Sequence, residues 1–193
     1  MPDRPPSKAH LRKELRQRRR DLGTRAQHDA AEAAARHITR LPHWSTARCI
    51  ALYLANDGEV GTAPLGDLCR TAGKQLFLPV IDHRNMLTFA EWREADTLVP
   101  NRYGIPEPPQ NSPRRAPGEL DIIVMPLVGW DRLGGRLGMG GGFYDRALAA
   151  GGGALLVGLA HTIQEVPQVP REDWDVPLDV VVTEAFVHHC RER

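Results

Sequence analysis

Residues 121–128 read DIIVMPLV, and this apolar run decides the fold class of the chain. A strand with one face in water alternates apolar and polar residues, whereas a strand covered on both faces is apolar at consecutive positions. Residues 86–92 alternate more clearly, which predicts an edge strand. Continuous apolar runs predict further strands at residues 49–55, 75–81, 154–160 and 178–183. These strands therefore belong in a sheet that is covered on both sides.

Helical segments alternate with the strands. The apolar periodicity predicts helices at residues 62–72 and 143–150, and such alternation is typical of a parallel α/β sheet. The polar stretch at residues 110–118 is typical of a surface loop. We therefore expect residues 1–193 to form one α/β domain, in which helices flank a mostly parallel sheet.

Two helices precede every strand. Ser7 can cap the first, which runs to about Leu22. Thr24 and Gln27 resemble a capping box at the start of a second, Ala-rich helix that ends before Pro42. The fold class is thus α/β with two N-terminal helices.

The composition predicts a soluble, cytoplasmic protein. The 193 residues are 41% hydrophobic and 25% charged, with a net charge of +1, so a core forms without disulfides or metals. The three cysteines form no CxxC pair, which favours reduced thiols and a cytoplasmic location. No apolar run approaches the ~20 residues that span a bilayer, and the N-terminus lacks the apolar segment of a signal peptide.

The first helix carries much of the positive charge. Residues 1–40 hold 11 basic and 5 acidic side chains. When successive residues are placed about 100° apart, as in a helix, one stripe consists of leucines. The row beside it is basic and consists of Lys8, Arg12, Arg16 and Arg19. This row is either a solvated face or a set of cations that reach an anion in a cleft. Residues 18–20 are all arginine, but the overall charge and the lack of an aromatic and basic pattern argue against nucleic acid.

A glycine-rich connection is the strongest local sign of a ligand. Residues 129–144 contain seven glycines and lead into a predicted helix. Glycine admits positive φ and close backbone approach, so N–H groups can surround a phosphate at a helix N-terminus. Arg136 favours this interpretation over a flexible connection with glycines for turns only. The Walker pattern lacks its Lys and Ser or Thr here, and Phe143 stands where the dinucleotide pattern requires glycine.

Carboxylates near this connection suggest a cation. Asp145 follows the glycines, and Asp173, Asp175 and Asp179 precede the last strand. Mg²⁺ needs few protein ligands when it shares phosphate oxygens. Alternatively, Asp145 caps the helix and the others are surface charges. Residues 188–190 are also metal-binding types (HHC), but a terminal position favours fraying.

Five segments together form a specific pattern. They are K-x-x-x-R at residues 8–12, ALYLANDGEV at 51–60, NRYGIPEP at 101–108, RLGMGGGFYDR at 136–146 and DVPLDVVVTE at 175–184. Through these segments the chain resembles the 5-formyltetrahydrofolate cyclo-ligase family over nearly its whole length. The resemblance implies a fold similar to the sugar-isomerase and CoA-transferase-like group. It also implies ATP- and Mg²⁺-dependent conversion of 5-formyltetrahydrofolate to 5,10-methenyltetrahydrofolate, with release of ADP and phosphate.

The resemblance also implies roles for individual residues. ATP would contact Lys8, Arg12, Arg136, Leu137, Gly138, Met139, Gly140, Gly141, Gly142, Phe143 and Tyr144. The folate would contact Leu54, Glu59, Tyr103, Met139 and Tyr144. Lys8 and Arg136 would be catalytic, and Asp145 and Asp175 would bind Mg²⁺. Met139 and Gly141 depart from polar, aromatic or lysine residues found in some members, which leaves fewer side-chain charges in the loop.

The implied reaction transfers the γ-phosphoryl group to the formyl oxygen, after which N10 attacks the activated carbon. The expected partners are two small molecules, ATP and the folate, bound by a monomer that needs neither nucleic acid nor a membrane. Two other functions stay open at this point. One is an ATP-dependent kinase or ligase for another small substrate, and the other is a non-catalytic protein that binds folate or RNA through the basic helix.

Overall fold

The computed structural model of the chain describes residues 7–101 and 104–190. The helices are α1 (Lys8–Arg20), α2 (Thr24–Ile38), α3 (Ala63–Thr71) and α4 (Phe143–Leu148). The strands are β1 (Cys49–Ala51), β2 (Gln75–Ile81), β3 (Leu87–Glu91), β4 (Val99–Pro100), β5 (Pro106–Glu107), β6 (Arg114–Arg115), β7 (Ile122–Pro126), β8 (Gly129–Trp130), β9 (Arg136–Leu137), β10 (Leu155–Leu159), β11 (Val180–Val182) and β12 (Val187–His189). Single 3₁₀ turns lie at Pro42–Trp44, Pro117–Glu119 and Thr162–Gln164.

Eight strands form one mixed sheet. Their order is β12-β11-β10-β7-β1-β2-β3-β6, and the five strands from β11 to β2 are parallel to their neighbours. β12, β3 and β6 pair antiparallel. The prediction of a mostly parallel α/β sheet is therefore confirmed. The edge-strand prediction for residues 86–92 is wrong, because β6, which lies inside the predicted loop 110–118, covers the outer side of β3.

The central strands are buried on both faces. Ile122 and Val124 of β7 join one core cluster, to which α2 contributes four residues. Ile123 and Met125, which point the other way, join a second cluster with Leu148 of α4. Because successive side chains of a strand alternate between faces, two covered faces require apolar residues at consecutive positions. This is the physical origin of the run at residues 121–128.

The start of α1 agrees with the prediction, whereas the start of α2 differs from it. The Ser7 hydroxyl caps α1 by accepting a hydrogen bond from the His10 N–H at 3.2 Å. The predicted capping box is wrong, because Gly23 is the N-cap of α2 and Thr24 lies inside the helix. The side chain of Gln27 instead donates to the carbonyls of Arg19 and Leu22, which ties α2 to the preceding turn.

α1 packs away from the two sheet faces. Its buried residues Leu11 and Leu15 form a third cluster with segments that follow β7 and β10, through Val128, Leu137 and Val169. Those segments leave the carboxyl ends of parallel strands. α1 therefore brings its basic row to the edge of the sheet where α/β proteins bind ligands.

Candidate active site

A cleft of about 510 Å³ lies at the carboxyl ends of three parallel strands. Leu54 follows β1, Ile81 ends β2, and Leu127 follows β7. Further lining residues come from α1, from residues 136–145 and from residues 172–175. The cleft therefore lies where the strand directions alone would place a ligand site.

Almost every residue implied by the resemblance lines this cleft. The set is Lys8, Arg12, Leu54, Glu59, Arg136, Leu137, Gly138, Met139, Gly140, Gly141, Gly142, Phe143, Tyr144, Asp145 and Asp175. Tyr103 lies outside the described residues. Positions up to 167 residues apart in the chain thus meet in one cavity, as Lys8 and Asp175 do.

The glycine-rich connection has two parts with different functions. Its first part is the hairpin of β8 and β9, in which glycines serve packing. A Cβ on Gly129 would lie 2.6 Å from Leu15, and a Cβ on Gly135 would lie 2.3 Å from the Asp131 carboxylate. Close packing therefore explains the glycines at these two positions, without a contact to a ligand.

The second part, residues 138–142, faces the cleft. Gly140 and Gly142 have φ values of 101° and 62°, which L side chains rarely adopt. Within residues 7–101 and 104–190, no backbone hydrogen bond joins the N–H groups of this segment to another protein group. α4 has only six residues, so its dipole adds little to the positive potential. The segment therefore lines the cleft with N–H donors that no backbone acceptor of the described residues occupies.

Three cations approach this segment. The Arg12 side chain donates from Nε to the Gly138 carbonyl at 2.8 Å, which anchors α1 to the loop. Lys8 Nζ lies 3.2 Å from an Asp175 oxygen and 3.5 Å from a Glu172 oxygen. Arg136 is only 6% exposed and pairs with Asp145. Each cation is held by existing partners, so the cradle is ordered before a ligand binds.

The carboxylates in the cleft fit Mg²⁺ only in combination with a ligand. No group of three or more His, Cys, Asp or Glu residues that could hold a metal is found in the described ranges. Asp145 and Asp175 instead pair with Arg136 and Lys8. Mg²⁺ commonly takes one or two carboxylates together with phosphate oxygens and water. The donor set suits a cation that arrives with a phosphate.

The lining charges support this interpretation. Three cations line the cleft, but so do five carboxylates, namely Glu59, Glu107, Asp145, Glu172 and Asp175. An anionic ligand would therefore meet an excess of negative charge. A divalent cation would offset that excess, which is a physical reason to expect one beside a polyphosphate.

The remainder of the cleft is apolar and contains one unusual carboxylate. Leu54, Met139 and Tyr144 contribute hydrophobic surface next to Glu59. Burial raises the pKa of the Glu59 carboxyl above its ordinary value, against the lowering effects of the Asn56 N–H and nearby arginines. Burial also raises the pKa of Tyr144. A carboxyl that is partly desolvated can form strong hydrogen bonds to a ligand.

The basic row of α1 is not a solvated face. Arg19 is fully buried, and it pairs with Asp57 at 2.9 Å. Arg16 contacts the same carboxylate at 2.6 Å, and Arg20 lies 3.4 Å from its other oxygen. Although burial raises the pKa of Asp57, the hydrogen bonds from Arg16 and Arg19 hold it below its ordinary value. These pairings leave little of the row for contact with nucleic acid.

Several lining residues were not expected as site residues. Trp174 is 70% exposed at the mouth of the cleft, and Glu107 accepts a hydrogen bond from the Asn101 side chain at 2.7 Å. Trp174 lies between the acidic residues considered as cation ligands, and Glu107 lies in the NRYGIPEP segment. In the sequence, both residues could have been identified as site candidates because they lie next to these motifs.

The possible metal set at residues 188–190 is not supported, since the His188 ring contacts the Arg132 carbonyl.

No helix in the described ranges is long and apolar enough to cross a membrane.

A family model and two known proteins that are similar to this chain carry the same name. The sequence model of the 5-formyltetrahydrofolate cyclo-ligase family matches residues 4–184. The 5-formyltetrahydrofolate cyclo-ligase of Escherichia coli (strain K12) is 39% identical over 178 residues, which cover 90% of this chain and 98% of that protein. The Haemophilus influenzae protein of the same name is also 39% identical, with coverage of 89% and 95%.

A solved structure extends the similarity to the fold. The NMR structure of Aquifex aeolicus 5,10-methenyltetrahydrofolate synthetase superposes with a TM-score of 0.85 at 33% sequence identity. The match covers 96% of this chain and 94% of that one. The sheet and the N-terminal helices described above are therefore shared with that protein.

Proposed function

Since this chain belongs to the 5-formyltetrahydrofolate cyclo-ligase family, we propose that its cleft holds ATP and 5-formyltetrahydrofolate side by side. The activity of the chain is the conversion of 5-formyltetrahydrofolate to 5,10-methenyltetrahydrofolate. The family is one of ATP-dependent ligases. The chain acts as a monomer of one domain, and separate groups of its residues bind each substrate and assist the phosphoryl transfer.

The polyphosphate of ATP lies against residues 138–142 and the three cations. The N–H groups of this segment and the positive φ of Gly140 and Gly142 support a close approach of phosphate oxygens. Lys8, Arg12 and Arg136 supply the charge, and the lining segment from Leu137 to Tyr144 encloses the nucleotide.

Asp145 and Asp175 would hold Mg²⁺ together with the phosphates of the bound nucleotide. Both carboxylates line the cleft, and each contacts a cation that the proposal assigns to phosphate. Bound Mg²⁺ supplies additional positive charge to the phosphates. Arg136 and Lys8 would then exchange their carboxylate partners for phosphate oxygens, so each ion pair is replaced and not lost.

The folate occupies the apolar part of the cleft. Leu54, Met139 and Tyr144 pack against its rings, and Tyr103 remains a proposed contact from the family resemblance. Glu59 accepts hydrogen bonds from the N–H groups of the pterin. The partial burial of Glu59 supports this role, because a carboxylate shielded from water binds such donors more strongly.

The formyl group of 5-formyltetrahydrofolate is a poor electrophile until its oxygen is phosphorylated. The formyl oxygen attacks the γ-phosphorus, the bond to the bridging oxygen breaks, and ADP leaves. N10 then attacks the activated carbon, loses its proton, and expels inorganic phosphate as the amidinium ring closes. Lys8 and Arg136 stabilise the charge that develops on the transferred oxygens, and such preorganised donors act most strongly where water is excluded.

One observation carries the proposal: a segment of exposed backbone N–H groups, three cations and a half-buried carboxylate line a single cleft. The test is a turnover assay in which ATP, Mg²⁺ or 5-formyltetrahydrofolate is omitted in turn. We expect the ultraviolet absorbance of the conjugated amidinium product only when all three are present. Product formation without ATP, or ATP hydrolysis without product, would overturn the proposed mechanism.

A further inference from the structure

Arg19 is a charged side chain with no exposure to solvent. Its Nε donates to the Asp57 carbonyl at 2.7 Å, and one terminal nitrogen donates to the Asp57 carboxylate at 2.9 Å. The other terminal nitrogen donates to the Leu127 carbonyl at 3.2 Å. The planar guanidinium thus ties α1 to the turn after β1 and to the end of β7. A lysine ammonium could not reach three such acceptors in one plane.

The turn that Arg19 holds has an unusual backbone. Asp57 has a φ of 52°, in the left-handed region that few residues other than glycine, asparagine and aspartate adopt. Gly58 follows with a φ of 76°, and a Cβ there would lie 3.0 Å from the Arg19 carbonyl. On the other side, His161 Nε2 lies 3.2 Å from the Gly58 carbonyl. Because a carbonyl only accepts, this ring nitrogen is the donor.

Glu59 is the next residue of the same turn. One of its carboxylate oxygens accepts from the Asn56 N–H at 3.0 Å, and the other lies 3.8 Å from the Arg19 guanidinium. Its side chain is 14% exposed, and that exposed part faces the cleft. Arg19 therefore holds the backbone of the turn that carries Glu59, and its guanidinium lies within ion-pair distance of the Glu59 carboxylate.

Stability alone is a poor explanation for this arrangement. A buried ion pair loses hydration, and well-packed apolar residues commonly serve a core equally well. The planar guanidinium instead sets the relative positions of its partners, and these include two cleft-lining residues, Leu127 and Glu59. We propose that Arg19 is a positioning residue for 5-formyltetrahydrofolate, which acts by holding the turn 56–59 so that Glu59 faces the pterin. This inference rests on the proposed role of Glu59 in folate binding.

A double-mutant cycle tests the inference. The variants are Arg19→Lys, Glu59→Gln and the combination, with KM measured separately for the folate and for ATP. We expect Arg19→Lys to raise the folate KM about tenfold or more, since small displacements of a binding group are costly. The ATP KM should change less than about twofold. In the Glu59→Gln background, the Arg19 substitution should have little further effect on the folate KM.

Arg70→Lys is the matched control. Arg70 is a partly buried arginine that stacks on Trp92 at 4.4 Å and lies outside the cleft lining. Its substitution should leave both KM values unchanged. Thermal melting of every variant identifies any general loss of structure.

The possible results separate the two proposals. If Glu59→Gln alone leaves the folate KM unchanged, the proposed role of Glu59 is wrong, and the inference fails with it. If Glu59→Gln raises the folate KM but the two substitutions are additive, only the inference about Arg19 is overturned. An equal change of the ATP and folate KM values in Arg19→Lys would also overturn it, because that pattern indicates a general distortion of the cleft.

Discussion

Arg136 donates a hydrogen bond to the carboxylate of Asp145 inside the cleft, at a distance of 2.5 Å. The two residues lie on opposite sides of the glycine segment that faces the cleft, one in β9 and the other in α4. Lys8 and Asp175 form a second such pair. In each pair, a proposed phosphate-binding cation contacts a proposed metal ligand, so nucleotide and metal binding should depend on each other.

Replacement of Arg136 by alanine should greatly reduce turnover. Loss of one preorganised donor to a developing charge costs about 3 kcal/mol, or roughly a hundredfold in rate. The measurement is kcat and KM for both substrates, together with a thermal melt. Arg132→Ala is the control, since Arg132 lies in the same connection but pairs with Glu165 at the surface. Normal turnover of a folded Arg136→Ala protein would remove Arg136 from the mechanism.

Removal of Mg²⁺ should weaken nucleotide binding, because the cleft contains more carboxylates than cations. Trp174 provides the measurement, since it lines the cleft and is 70% exposed, while Trp130 is fully buried. ATP with Mg²⁺ should change its fluorescence at concentrations at least about tenfold lower than ATP with a chelator, a difference of about 1.4 kcal/mol.

The variant Trp174→Phe should abolish that signal and still bind the nucleotide in an equilibrium dialysis assay. Equal affinity with and without Mg²⁺ would contradict the assignment of Asp145 and Asp175.

A methyl group at Gly140 should impair ATP binding. The φ of 101° disfavours alanine, and its Cβ would lie 3.4 Å from the Arg12 guanidinium. Gly73→Ala is the matched control, because Gly73 also has a positive φ of 67° but lies in open space outside the cleft lining. Both substitutions should lower the free energy of unfolding by about 1–2 kcal/mol.

Only Gly140→Ala should raise the ATP KM, by about tenfold. A similar increase in Gly73→Ala would show that general strain, and not the cradle, controls nucleotide affinity.

Asp131 should make the stability of the protein depend on acid pH. It is buried and accepts hydrogen bonds from the N–H groups of Gly135 and Val169, and it pairs with Arg171. Burial raises its pKa, but these donors outweigh that effect and hold the pKa below the ordinary value. As the pH falls, the unfolded chain therefore takes up the proton first. The stabilisation is complete above about pH 4 and is lost as the pH falls through the lower pKa of the folded state.

Urea unfolding of Asp131→Asn should show this directly. At pH 7 the variant should be about 2–4 kcal/mol less stable than the parent, and the difference should shrink below about pH 4. Asp29→Asn, at an exposed position, should show almost no difference at any pH. A constant difference from pH 7 to pH 3 would contradict the proposed linkage.

Much of the fold was predictable because the signals were local. The apolar run at 121–128 corresponds to β7, and the Ser7 cap is confirmed. The first strand was predicted too long, at 49–55, because Leu52 and Tyr53 continue the buried apolar run beyond the last residue of β1. β6 was missed because a two-residue pairing with β3 leaves no pattern in a polar stretch.

The burial of Arg19 was not predictable from α1 alone. Its position in the helix placed it in a basic row, and its partners Asp57 and Glu59 lie 38 or more residues further along the chain. A charged residue becomes compatible with a core only through such long-range partners. The glycine segment was easier to identify, because its composition alone indicated a ligand site. Only the structure shows that it divides into a packed hairpin and a loop that faces the cleft.

One helix supports both proposed subsites of the cleft. Lys8 and Arg12 of α1 line the proposed nucleotide end, while Arg19, about 16 Å from Lys8 along the helix axis, supports the turn of Glu59. Any effect of one substrate on the affinity for the other that passes through this helix would be equal in both directions, as heterotropic linkage requires.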